Sequence, residues 1–320
     1  MELRRLGRSE LKIAPLVLGT NVFGWTADEK TSFAILDTFV DGGFNAVDTA
    51  DVYSRWSPAG AGASETVIGN WLAQGGRRDK IVLATKVGSE MGEGMKGLSA
   101  KFIEQAVEAS LKRLKTDYID LYQSHRDDPD TPQEETAEAY ARLIKAGKVR
   151  AIGSSNFTPE RLKSALDVAR AKGLPRYESE QPLYNLYDRA GFEAGLQKLC
   201  LEEEVGVIPY YGLASGFLTG KYRSEEDLSK SPRGRGVKKY LDDRGLKILA
   251  ALDEVAAGHA ATNAQVALAW VMAQPGLTGP IASATSVDQL NDLMASARLK
   301  LSDADLRRLD EASAPAPAGG

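Results

Sequence analysis

The 320-residue chain is short of cysteine, histidine, long apolar runs and surplus positive charge, and each shortage closes off a class of protein. A lone thiol, Cys200, cannot form an intramolecular disulfide. It lies in an amphipathic stretch, where an inert buried thiol is expected rather than a nucleophile. Only two histidines are available, His125 and His259, and His259 sits in the helix-like text VAAGHAATNA, so no ligand cluster assembles at metal-site spacing and no metal is expected. No segment approaches the ~18 apolar residues of a membrane span, and the opening MELRRLGRSELKIAPLVLGT has no apolar core of the signal-peptide kind. Net charge is -4 with both signs interspersed, which leaves no footprint for nucleic acid or a membrane surface. A cytoplasmic protein is expected.

What the chain does contain is a regular alternation of short apolar runs and helix-period text. A hairpin is expected through Leu6–Ile13, then strands at Leu16–Gly19, Asn45–Asp48, Ile81–Lys86, Tyr118–Gln123, Val149–Gly153, Glu178–Gln181, Val207–Tyr210 and Leu277–Ile281. Between them lie helices at Glu29–Val40, Ser64–Ala73, from Ser99 through SAKFIEQAVEASLKRLK, Pro132–Lys145, Pro159–Ala171 and around Phe192–Glu204. Two more helices precede the last strand, and Ser286–Ala297 follows it. Strand starts recur about every 30 residues along most of the chain, room enough for the crossover a parallel pair requires. The runs are continuous rather than alternating, as strands buried on both faces should be. Eight such strands, with seven or more βα units and no composition break, leave room for an open doubly wound sheet but favour a single α/β domain over residues 1–312, a (β/α)8 TIM barrel with an N-terminal β-hairpin and extra C-terminal helices. Residues 313–320 (SAPAPAGG) read as a frayed tail.

A barrel of this kind gathers its chemistry at the C-terminal ends of its strands. Those ends carry Asp48, Lys86 and His125, with Tyr53 just beyond the second. A carboxylate, an amine, an imidazole and a phenol there can meet only if the strands lie side by side. A free phenol has a pKa near 10, too high for acid–base work at neutral pH. An ammonium beside it favours phenolate, and a carboxylate holds the ammonium in place. Individually each residue has a plain structural reading: a loop cap, a solvated charge, a satisfied core histidine. Together they make a proton-donating device, and an enzyme is the reading that follows. The glycines of Gly60-Ala-Gly62-Ala-Ser64 do not make a dinucleotide loop, because no strand precedes them and the third glycine is missing.

At this point the chain resembles the aldo-keto reductase family over essentially its whole length. The matching segments are NAVDTADVYS (45–54), Gly62-Ala-Ser-Glu65 running to Ile68-Gly69, DLYQSH (120–125), IGSSNF (152–157), QPLYN (181–185) and PYYGL (209–213) followed by GFLTGK (216–221). The resemblance implies a metal-free NAD(P)H-dependent reductase that turns an aldehyde or ketone into the alcohol. Tyr53 would be the general acid, tuned by Lys86 and Asp48, with His125 aligning the carbonyl. Ser155, Asn156 and Gln181 would hold the nicotinamide carboxamide and Tyr210 would stack on its ring. Leu213, Gly216, Leu218 and Lys221 would meet the pyrophosphate, with Arg233 or Arg235 as helpers.

Near the adenosine the resemblance thins. NADP(H) is the expected cofactor, yet the stretch after the last strand, IASATSVDQL, offers Ser283, Ser286 and Gln289 without a cation for the 2′-phosphate. Asp288 adds a negative charge. NAD(H) is therefore expected to serve as well, unless an arginine from 231–239 or Arg298 folds across. Phe23, Trp25 and Trp56 either line an apolar substrate pocket, which would favour alicyclic or aryl carbonyls, or pack the loops onto the barrel. A second function class is a nicotinamide-binding redox-sensing or scaffold subunit with little turnover, as the family's channel-associated relatives suggest. Partner proteins are not specified by the sequence.

Overall fold

The computed structural model describes residues 1–230 and 234–315, without the side chain of Arg235. Strands β1 (Arg4–Arg5) and β2 (Lys12–Ile13) form an antiparallel hairpin. The remaining strands make one parallel sheet: β3 (Val17–Gly19), β4 (Ala46–Asp48), β5 (Val82–Val87), β6 (Ile119–Ser124), β7 (Val149–Ser155), β8 (Tyr177–Gln181), β9 (Gly206–Val207) and β10 (Ile281–Ala282). Each pairs with its sequence neighbour, and β10 returns to pair with β3. A parallel bridge from Val207 to Leu277, and the bonds Thr278 N–H to Val207 O (2.7 Å) and Ile281 N–H to Pro209 O (2.8 Å), close the ring. The barrel is complete.

The last two strands are shorter than their apolar runs. Pro209 and Pro280 carry no N–H, so each breaks the ladder within the expected stretch. Tyr210 is left in a single bridge to Leu183, and the final ladder moves on to Ile281–Ala282.

Outside the ring run α1 (Glu29–Asp41), α2 (Ala63–Leu72), α3 (Ala100–Leu114), α4 (Gln133–Lys145), α5 (Pro159–Lys172), α6 (Ala190–Glu193), α7 (Leu196–Glu202), α8 (Asp243–His259), α9 (Asn263–Ala273), α10 (Val287–Ala295) and α11 (Asp303–Ser313). The helix expected around Phe192–Glu204 is two pieces, since Gly195 leaves helical geometry at φ 171°. Ser99 caps α3 as its sequence suggests, its hydroxyl accepting from Phe102 N–H. Helices α2 and α3 cross so closely at Gly69 that a Cβ there would sit 2.0 Å from the Arg113 carbonyl oxygen. Ser313, the expected start of the tail, closes α11 and is buried, its hydroxyl donating to Leu309 O (2.6 Å); residues 316–320 lie outside the described set. No helix among the described residues is long and apolar enough to cross a membrane.

Two apolar layers result from strand alternation. Outward-facing residues pack under the helices, among them Leu83, Tyr122 and Ile152. Inward-facing Val17, Ala46, Ala84, Leu121, Ala151, Ile208 and Ile281 pack with Leu6, Leu11 and Ile13 of the hairpin. The hairpin thus plugs the N-terminal end of the barrel with hydrocarbon. The C-terminal end is left to polar side chains.

Candidate active site

Inward alternation carries β4 from Ala46 to Asp48 and β5 from Ala84 to Lys86, placing a carboxylate and an ammonium inside the ring. Lys86 Nζ donates to Asp48 Oδ2 (2.6 Å), Thr49 O (2.8 Å) and Tyr53 Oη (2.9 Å), and both ionic side chains are fully buried. An ammonium has three hydrogens, and all are engaged. Burial works against the charged amine, but Asp48 and Tyr53 hold its pKa above the usual lysine value. The other carboxylate oxygen, Asp48 Oδ1, accepts from Gln123 Nε2 (3.1 Å) and Gln181 Nε2 (3.0 Å), and Gln181 also donates to Gln123 Oε1 (3.1 Å). One carboxylate therefore ties β4, β5, β6 and β8 together.

Tyr53 stands on the turn after β4. That turn is fastened to the barrel wall by Thr49 N–H to Ala84 O (2.9 Å) and Asp51 N–H to Lys86 O (3.3 Å). Ser54, at φ 70°, anchors it to the preceding loop through Phe23 O (2.7 Å). Ser64, opening α2, bonds Thr20 (2.8 Å) and Thr49 (2.9 Å), while its neighbour Glu65 takes Thr85 Oγ1 (2.6 Å) and Arg113 Nε (2.7 Å). This is the physical content of the Gly-x-Ser-Glu segment: it straps the turn carrying the phenol to the wall.

The phenol is not the acidified group the sequence suggests. Burial pushes Tyr53 up to about 12; Lys86 pulls the value down, Asp48 pushes it up again, and burial wins. His125 follows β6, its peptide N–H bonded to Val87 O (2.8 Å), and its ring meets Tyr53 edge-on at 6.0 Å. Burial, then the charges of Lys86 and Arg126, hold its pKa well below the usual histidine value, so the imidazole is neutral. Its Nδ1 is buried without a hydrogen-bond partner among the described residues.

Beside this group, Asn156 adopts the left-handed region at φ 60° and donates to His125 O (3.0 Å) and Ser155 Oγ (2.9 Å). Ser155 donates to Gln181 O (2.8 Å), and Tyr210 Oη donates to Asn156 Oδ1 (2.8 Å). Outside the ring Glu180 braces the same corner, accepting from Ser154 Oγ and from Phe157 N–H (3.3 Å); burial raises its carboxyl to about 7. A cleft of about 600 Å³ opens on that outer side between Asn156, Glu180, Phe192 and Arg244, away from the tetrad.

The segment after Tyr210 is strained. Ala214 (φ 48°), Ser215 (57°) and Gly216 (94°) run consecutively through the left-handed region, and only glycine adopts it without cost. Leu213 is half-buried, Leu218 is fully buried, and Lys221 reaches out along Tyr222, its amine 5.1 Å from the ring centroid. After β10, Ser283 donates to Asn21 Oδ1 (2.7 Å), Ser286 caps α10 by accepting from Gln289 N–H (3.2 Å), and Gln289 Oε1 accepts from Thr285 N–H (2.9 Å). Arg298 closes the short 3-10 turn Ser296–Arg298 that follows α10. Arg233 is outside the described residues, and so is the side chain of Arg235.

Trp25 and Trp56 meet edge-on at 5.7 Å, and Trp56, half-exposed, lies 6.5 Å from Tyr53. Phe23 is fully buried in the outer core, so its ring packs the loop instead of lining a pocket. Gln123, Asp51, Glu180 and Arg126 were not singled out from sequence. Gln123 was findable, since it alternates in phase with inward-facing Leu121.

The sequence profile of the Aldo/keto reductase family matches residues 15–314. The chain belongs to that family. It is 39% identical to the oxidoreductase YrpG of Bacillus subtilis, an alignment covering 100% of this chain and 98% of the relative. It is 32% identical to L-glyceraldehyde 3-phosphate reductase of Escherichia coli K12 (97% and 92%). It is also 34% identical to a probable voltage-gated potassium channel subunit beta of Arabidopsis thaliana (92% and 90%). As an aldo/keto reductase, the chain is an oxidoreductase built on a (β/α)8 barrel.

Proposed function

We propose that this reductase converts an aldehyde or ketone to its alcohol using a reduced nicotinamide dinucleotide, with Tyr53 as proton donor. The observation that carries the reading is the saturated ammonium of Lys86. Because Lys86 donates to the Tyr53 oxygen, the phenolic hydrogen must point elsewhere, and the open direction is the mouth beside His125. With all its hydrogens engaged, Lys86 orients the phenol and does not protonate substrate.

The residues present fit the cofactor. Tyr210, held by Asn156, offers a ring face; Ser155, Asn156 and Gln181 offer polar atoms at one corner; the strained Leu213–Gly216 backbone and Lys221 suit a pyrophosphate. Bound there, the reduced nicotinamide supplies hydride to the carbonyl carbon. Tyr53 gives its proton to the carbonyl oxygen as the C=O double bond becomes a single bond. A phenol near 12 is still a sufficient acid, since the incipient alkoxide approaches the basicity of hydroxide, about 15.7 on the scale of bulk water. Neutral His125 positions the same oxygen. The phenolate left behind lies against Lys86 and is reprotonated from solvent at the mouth.

Tyr53→Phe should lower kcat/KM for carbonyl reduction by at least ~10²-fold while cofactor still quenches tryptophan fluorescence. Near-normal turnover would show that the proton comes from elsewhere. The stretch IASATSVDQL (281–290) that opens with the last ladder carries no lysine or arginine, so kcat/KM with NADH should come within about tenfold of that with NADPH. A preference beyond 10²-fold for NADPH would overturn that part. The likeness to a potassium channel subunit keeps a second reading, a cofactor-binding sensor. Sustained multiple turnover with a simple aldehyde separates the two.

A further inference from the structure

Arg126 follows His125 directly, so its backbone leaves the barrel at the rim of the mouth, where Asn156 holds the His125 carbonyl (3.0 Å). Its side chain is exposed and makes no hydrogen bond or ion pair with a described residue. The chain supplies two carboxylates immediately after it, and neither is available. Asp127 is gripped by Arg161 through two bonds, Nε to Oδ2 (2.7 Å) and Nη2 to Oδ1 (2.9 Å). Asp128 turns the other way, accepting from Leu98 N–H (2.7 Å) and Thr131 Oγ1 (2.7 Å). Lys86, the other cation near the phenol, is neutralised by Asp48. The guanidinium also lies near enough to act on Tyr210, which follows β9: burial and Tyr211 raise that phenol, and the charge of Arg126 opposes the rise.

Resting on the reductase reading, we infer that Arg126 selects carbonyl substrates bearing an anionic group, a carboxylate or a phosphate, set a few bonds from the reacting carbon. A guanidinium meets either group with two parallel charge-assisted hydrogen bonds, in a fork a lysine cannot copy. Trp25 and Trp56 supply an apolar flank beside Tyr53, so the scaffold between carbonyl and acid is best flat or hydrocarbon. Arg126 also concentrates anions at the mouth, and that part of the effect weakens with salt.

The test compares 4-carboxybenzaldehyde with its neutral counterpart 4-methylbenzaldehyde. Wild type should favour the acid in kcat/KM, and Arg126→Gln should lower the acid-to-neutral ratio by about 10- to 100-fold. Arg126→Lys should restore only part of it. Independently of turnover, calorimetric titration with 4-carboxybenzyl alcohol should give weaker binding to Arg126→Gln, and wild-type binding should weaken as salt is raised. An unchanged ratio in Arg126→Gln, or a wild type that reduces the neutral aldehyde at least as well as the acid, overturns the assignment and leaves the reductase reading intact. A wild type that reduces neither aldehyde sinks both.

Discussion

Asp48 and Asp51 lie three residues apart in one segment and are almost equally buried, yet the barrel wall separates them into opposite electrostatic worlds. Inside, Asp48 meets an ammonium on one oxygen and two carboxamides on the other. Outside, among the described residues, neither oxygen of Asp51 has a hydrogen-bonding side chain, and the nearby Tyr122 hydroxyl is equally unmatched. Burial, then the negative charge of Glu65, raises Asp51 to about 8; Arg113 and Lys86 pull the other way without prevailing. Tyr122 and Tyr140, from β6 and α4, close the same space. Burial alone does not decide the state of a carboxyl group. The partners that the fold delivers do.

The hardest blow to this contrast is Lys86→Met. It should cost about 3–5 kcal/mol in urea unfolding at pH 7, because Asp48 would be left as a buried charge without its counter-ion. Asp51→Asn should behave in the opposite sense. An aspartate in an unfolded chain releases its proton near pH 3.9, whereas folded Asp51 keeps it to about 8. Across that window folding takes up a proton, so wild-type stability falls as pH rises and levels off above about 8. Glu180, raised to about 7, adds a contribution of the same sign. Asp51→Asn removes one of the two, flattening the slope by up to ~1.4 kcal/mol per pH unit between pH 5 and 7. Should the slope stay as in wild type, Asp51 is ionised in the folded protein and the contrast collapses.

Much of the inner world was readable beforehand. Strand-end chemistry, alternation and repeat spacing located Asp48, Lys86, His125 and the barrel that brings them together. The outer world was not. Asp51 drew no notice in the sequence, and its burial beside Glu65, Arg113 and Tyr122, which come from three different elements, is a product of the packed assembly. The Tyr53 pKa was missed for a related reason: a lysine neighbour is visible in sequence, but the depth of burial that overrides it is a property of the packed assembly. Strand ends were misjudged where Pro209 and Pro280 withhold a donor that their apolar neighbours seem to promise.

Under the proposed reading, Gln181 touches the cofactor while Tyr53 touches the substrate, and a single carboxylate, Asp48, joins Gln181 to Lys86 through one hydrogen bond on each of its oxygens. Docking and proton delivery then share a mechanical linkage. Engineers who reshape the nicotinamide corner of this barrel should find the pH dependence of catalysis drifting with it, because they will be tugging on the same rope.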